Sequence, residues 1–237
     1  MPYRRLPKTD QARIRALKAV VAKGDTILMD RVIPLQLLSE IRNFLLPFEA
    51  AHVFYLERYQ EQSLAGKKHQ RNVKQARLYV SHFIQVLNMA VVREEIKEIH
   101  RQLYGLSSNT HLPDLMSETS LLEWGRRIVE GERLRVEQGG IPIYNPTIAR
   151  VKVHYDLFAD SYTRQKQLQL ITTRSLEQLS AMRERADELI LEAWNLIEAY
   201  FSAVEDAANR LECCRDYGVV YYYRKGEKPA EECIQVE

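Results

Sequence analysis

The sequence predicts a mainly α fold: an antiparallel helical bundle with long coiled-coil-like helices and a small C-terminal β-hairpin. Three observations predict it. Glycine and proline number only 9 and 8 in 237 residues, and long spans lack both, which disfavours the many turns of an all-β chain. Apolar residues recur at spacings of three and four over most of the length, the period of a helix with one buried face. After Gly218 that period stops, and Val219-Val220-Tyr221-Tyr222-Tyr223 has the β-branched and aromatic composition of a strand. At 46% hydrophobic residues the chain has enough apolar surface for a sizeable core.

The elements follow in order. Thr9 and Asp10 cap a first helix that runs to Lys23 and closes at Gly24. An apolar link, TILMDRVIP, leads to a helix starting at Pro34 or Leu35. Its buried seam reads Leu38, Ile41, Leu45, Phe48, His52, Tyr55 and Tyr59. Pro47 predicts a kink or a restart there. Ala65-Gly66 is read as a turn, followed by a third helix from Lys68 to Val92 with Val73, Val80, Phe83, Ile84, Leu87 and Val91 on one side. REEIKEIHRQLYG extends it or forms a short helix ended by Gly105. The polar stretch 106–116 is the expected internal boundary of a single-domain bundle spanning 1–237.

Ser117 caps a further helix to Gln138, weakened by Gly125 and Gly131. Asn145-Pro146 offers a cap followed by proline at the first helical position. From Thr147 to Tyr217 there is neither Gly nor Pro. The heptad seam there reads Ile148, Val151, Tyr155, Phe158, Tyr162, Gln165, Gln169, Thr172, Leu176, Leu179, Arg183, Ala186, Ile190, Ala193, Ile197, Tyr200 and Val204. One long helix fits this seam. A hairpin broken between Thr172 and Ser175, where Ser175 and Gln178 form a capping box, fits it too. Residues 218–237 are expected to form the hairpin, with VVYYYRK as one strand, Val219, Tyr221 and Tyr223 on one face and Val220 and Tyr222 on the other, and Cys233-Ile234-Gln235-Val236 as the second strand. An isolated hairpin is marginal in water, so it must dock on the helices or pair with a strand from elsewhere. Tyr221, Tyr222 and Tyr223 are then a structural cap or an edge that adds to a partner's sheet.

The motifs that bear on chemistry are few. Glu49-Ala50-Ala51-His52 has the Glu-x-x-His spacing that places a carboxylate and an imidazole one helical turn apart. Carboxylate-bridged metal bundles use that pair twice, with two further Glu. No other His in this sequence has an acidic residue three positions earlier. Glu49 and His52 are therefore half of a set, and no metal or other cofactor is expected. Cys213, Cys214 and Cys233 lack the paired spacings of a zinc site and are too few for a disulfide framework. No dinucleotide, phosphate-loop, zinc-protease or nucleophile-elbow motif occurs.

Net charge is +2, too balanced to announce a nucleic-acid or membrane partner. Its distribution is uneven. From Gln62 to Arg93 there is no acidic residue, while Lys67, Lys68, Arg71, Lys74 and Arg77 are basic, and Lys67, Arg71 and Lys74 share one helical strip. Such a strip suits phosphates or an acidic protein face. Arg4, Arg5 and Lys8 make a second basic spot, and Arg224 and Lys225 a third. The N-terminal MPYRRLPKTD lacks the apolar core of a secretory signal, and no run is long and apolar enough to span a membrane. The expectation is a cytoplasmic, non-enzymatic structural or protein-interaction bundle whose partner is another protein or a second copy. Polar seam residues Gln165, Gln169 and Thr172 would fix its register. Nucleic-acid or polyanion binding through 67–77 is the first alternative, and a metal-dependent bundle enzyme around Glu49 and His52 the second.

Overall fold

The computed structural model describes residues 2–24, 32–106, 111–224 and 227. It is 77% helical, as the scarcity of Gly and Pro predicts. The elements in chain order are β1 (Tyr3–Arg4), α1 (Asp10–Gly24), α2 (Leu35–Val92), a 3-10 helix (Glu98–Tyr104), α3 (Glu118–Glu137), α4 (Ile148–Ala181), α5 (Arg183–Phe201), α6 (Ala207–Asp216) and β2 (Tyr221–Tyr222). The chain divides into two compact units, Met1–Glu57 with Thr173–Glu237, and Arg58–Thr172.

The first unit is built around α1, the start of α2, α5 and α6. Ala12 N–H donates to Thr9 Oγ1 at 3.2 Å, so α1 begins where the sequence places its cap. Ile14, Leu17 and Val20 of α1 join Ile41, Leu45 and Phe48 of α2 and Leu189, Ile190, Ala193 and Trp194 of α5 in one apolar core. α6 opens at Asp206, whose side chain accepts from Ala208 N–H at 2.9 Å. The Gly- and Pro-free span to Tyr217 is not one helix: α5 stops at Phe201, short of the last seam residue Val204, and this aspartate caps a new helix. Gly218 closes α6 at φ +87, and an added Cβ would lie 2.7 Å from Ala19 Cβ. Both the left-handed turn and the close approach require glycine there.

The strand expected after Gly218 forms at Tyr221–Tyr222 and pairs antiparallel with β1, Tyr222 opposite Tyr3 and Tyr221 opposite Arg4. Arg5 N–H extends the ladder to Val220 O at 2.8 Å. The other strand of the predicted hairpin, 233–236, lies outside the described residues, as do Lys225 and Cys233. The alternation is as read: Val219 is buried, Tyr221 and Tyr223 are half-buried, and Val220 and Tyr222 are exposed.

The second unit packs the rest of α2 against α3, the 3-10 helix and the start of α4. Val73, Val80, Phe83, Ile84 and Leu87 form its core with Tyr104, Leu121, Ile128, Val151 and Phe158. Ser117 caps α3, accepting from Ser120 N–H at 3.0 Å. Gly125 and Gly131, read as weak points, are close-packing sites: a Cβ on Gly125 would lie 2.2 Å from Tyr155 Cδ2, and one on Gly131 2.5 Å from Tyr104 Cδ1.

Three sequence expectations are corrected. The turn at Ala65-Gly66 does not exist, since α2 runs unbroken from Leu35 to Val92. A single glycine costs a helix about 1 kcal/mol, less than the buried residues on either side return. The helix also passes through Pro47, so the chain does not restart there. That residue is exposed, so the carbonyl it leaves unpaired faces solvent. α4 begins at Ile148 rather than at Pro146, with Thr147 Oγ1 accepting from Arg150 N–H at 3.4 Å.

Of the two alternatives, α4 takes the unbroken one through Thr172–Ser175, and the irregularity falls at Met182, which keeps helical angles of φ −86 and ψ −13. Its buried line is Phe158, Leu168, Thr172, Ser175 and Leu179, with Gln165 half-buried, while Gln169 and Leu176 are exposed. The heptad read from sequence is therefore displaced by one residue in the middle of α4. Adjacent Leu168/Gln169 and Ser175/Leu176 offered two nearly equivalent lines, and packing chose the other one.

Candidate functional site

Glu49 and His52 lie one turn apart on α2. Glu49 forms an ion pair with Lys18 of α1. His52 Nδ1 is buried without a hydrogen-bond partner among the described residues, and the ring borders an open cavity of about 510 Å³ shared with Asp10, Arg13 and Arg183. The carboxylates there are taken. Arg183 holds Asp10 through two bonds of 2.8 Å, and Arg13 holds Asp187 at 2.7 and 2.8 Å. These pairs tie α1 to α5. Among the described residues no three His, Cys, Asp or Glu side chains come close enough to hold a metal ion.

The basic strip is exposed at Lys67, Lys68, Arg71 and Lys74, and none of the four forms an ion pair among the described residues. Arg77 is different. It is half-buried and donates to Leu115 O at 2.9 Å and Met116 O at 2.8 Å, clamping the segment that leads into α3. Its five-donor fork suits two adjacent carbonyls.

Tyr221 is half-buried and donates to Glu198 Oε1 at 2.7 Å. Arg4 completes that carboxylate at 2.9 Å and reaches Asn195 Oδ1 at 2.8 Å. Burial and the hydrogen bond to Glu198 push the Tyr221 phenol above its ordinary range. Tyr222 packs on Tyr3, centroids 5.8 Å apart, and Arg224 lies 4.4 Å over the Tyr3 ring. Cys214 is buried beside Tyr221, and burial raises its thiol pKa; Cys213 is half-buried, and both are free thiols.

Sequence reasoning missed two polar clusters in the second unit, the first of them fully buried. In the first, Tyr104, Glu132 and Arg135 are at 0%, 0% and 3% exposure. Arg135 donates to Glu132 at 2.8 and 2.9 Å and to Tyr104 Oη at 2.8 Å, and Ile143 N–H also donates to Glu132 at 3.0 Å. Burial and Glu132 drive the Tyr104 phenol upward. The Glu132/Arg135 spacing of three was legible, but it is common on exposed helices, and nothing in sequence marks this pair as buried. The second cluster centres on His69, which falls at helical spacing with buried Val73 and Ala76.

Protein-family models, curated proteins and solved structures contain no significant match to this chain. What the fold itself defines is an all-α helical bundle with a two-stranded β appendage, in which no helix among the described residues is long and apolar enough to cross a membrane.

Proposed function

We propose that the protein is a structural or protein-interaction bundle that binds a protein partner or a second copy of itself through the outer face of α2. One observation supports this reading. Leu35, Leu46 and Val53 are 59%, 73% and 48% exposed, and they share one line of the helix. That line is turned about 120° from buried Ile41, Leu45 and Phe48 by the 3.6-residue repeat. Three large apolar side chains aligned over some 27 Å of helix, at 1.5 Å per residue, are a seam without its counterpart. The test is light scattering of the purified protein, with capture from nuclease-treated native lysate. Leu46→Lys with Val53→Lys is expected to abolish self-association or partner capture while helical content is unchanged. Loss of neither would remove this face from consideration.

A second reading, polyanion binding, is favoured by the four exposed cations Lys67, Lys68, Arg71 and Lys74, which form no ion pair among the described residues. Affinity for a fluorescent single-stranded oligonucleotide would then fall with salt at a log–log slope of about −0.7 per phosphate neutralised. Reversing Lys67, Arg71 and Lys74 to Glu would abolish binding. A slope near zero would rule it out.

A further inference from the structure

His69 joins two side chains from two other helices. Its Nδ1 lies 2.9 Å from Ser161 Oγ on α4, and its Nε2 lies 3.1 Å from Glu118 Oε1 on α3. The ring is 4% exposed, flanked by Phe158 and Tyr162. An ionised carboxylate can only accept, so Nε2 carries the ring proton in neutral imidazole and Nδ1 presents its lone pair to Ser161. The Ser161 hydroxyl has one proton and two acceptors within reach, Nδ1 and Phe158 O, each at 2.9 Å. A serine inside a helix ordinarily bonds back to its own chain; here a base competes for that proton.

The partners at the two ends of the imidazole border different spaces. Glu118 borders a polar cavity of about 170 Å³ that also holds Tyr162 and Lys166. Ser161 borders a separate open cavity of about 520 Å³, with Leu64 and Leu157 among its apolar walls and Glu61, Lys68, Asn72, Asp160 and Arg164 as its polar ones. Such a volume suits a small ligand. Lys68 is exposed and forms no ion pair among the described residues.

The geometry points to a serine acyl-transfer site that hydrolyses short-chain carboxylic esters. Ser161 is the nucleophile, His69 the general base and Glu118 the positioning residue that fixes the ring tautomer. In the first step Ser161 Oγ bonds to the acyl carbon while its proton passes to His69 Nδ1. The carbonyl electron pair moves onto oxygen, within the cavity that Lys68 also lines. Collapse of the adduct expels the alcohol, which takes the proton from His69. Water then attacks the acyl-serine with His69 again as base, releasing the carboxylic acid and restoring Ser161. None of these residues belongs to the α2 face proposed above for association, so the two ideas stand or fall separately.

The experiment uses the full chain with p-nitrophenyl butyrate and, separately, a fluorophosphonate probe. A burst of p-nitrophenolate is expected, together with a phosphonate adduct mapped by peptide mass to Ser161. Ser161→Ala, which removes one oxygen, should lower the rate at least 100-fold and eliminate the adduct, with the circular dichroism spectrum unchanged. Glu118→Gln should lower kcat with KM unchanged, because the amide no longer fixes the ring tautomer. Equal hydrolysis by wild type and Ser161→Ala, an adduct elsewhere than Ser161, or a kcat indifferent to Glu118→Gln would each overturn the proposal.

Discussion

Replacing Glu132 by Leu isolates the energetics of the buried Tyr104–Glu132–Arg135 cluster. Glu132 is 0% exposed and accepts from Tyr104 Oη, Ile143 N–H and two nitrogens of Arg135. Its loss leaves the Arg135 guanidinium, 3% exposed, with Tyr104 Oη at 2.8 Å and Ile141 O at 2.8 Å but no counter-charge. A buried charge stripped of its partner costs about 3–5 kcal/mol, and the Ile143 N–H left without an acceptor adds about 1 kcal/mol or more. The expected total, about 4–6 kcal/mol, is large against the stability of an ordinary domain. Urea unfolding followed by circular dichroism and tryptophan emission reads it. Glu132→Leu combined with Arg135→Met removes both charges and should cost at least about 2 kcal/mol less than the sum of the two single changes. Additive costs would refute the argument, since they would mean that neither charge depends on the other for its burial.

The remaining predictions concern the glycines of the second unit and the β appendage. Gly66→Ala is expected to stabilise by roughly 0.5–1 kcal/mol from helix propensity, since its Cβ would meet Gln165 Nε2 at an ordinary 3.5 Å. Gly125→Ala should instead destabilise by about 1–3 kcal/mol, because the Cβ would drive Tyr155 from its place and from its 3.0 Å bond to Leu122 O. Thermal melts of the two variants should move in opposite directions. The Tyr221 phenol is raised above its ordinary 10.0 by burial and then by Glu198. The folded chain thus holds this proton more tightly than the unfolded one. The contribution is complete below that ordinary value and is lost as pH rises beyond it. The urea midpoint of the wild type should fall further between pH 9 and pH 11.5 than that of Tyr221→Phe, and equal falls would contradict the assignment.

The sequence by itself determined the helices and most of their ends. Thr9, Ser117 and Gly105 carry their signals locally, in cap side chains and a left-handed closing residue, and the three-and-four spacing of apolar residues determined which faces are buried. It also determined the inward and outward alternation at 219–223. What tertiary structure alone decided were the points where local signals are weak or compete. Ala65-Gly66 and Pro47 look like interruptions, yet buried residues on both sides of each hold α2 together. Adjacent polar and apolar positions at Leu168/Gln169 and Ser175/Leu176 left the seam of α4 ambiguous by one residue. The pairing of Tyr221–Tyr222 with Tyr3–Arg4 joins segments more than 200 positions apart, a separation on which no local pattern bears. The same holds for His69, Glu118 and Ser161: each is an ordinary residue on its own helix, and their meeting depends on how three helices pack, which sequence periodicity constrains only to a face.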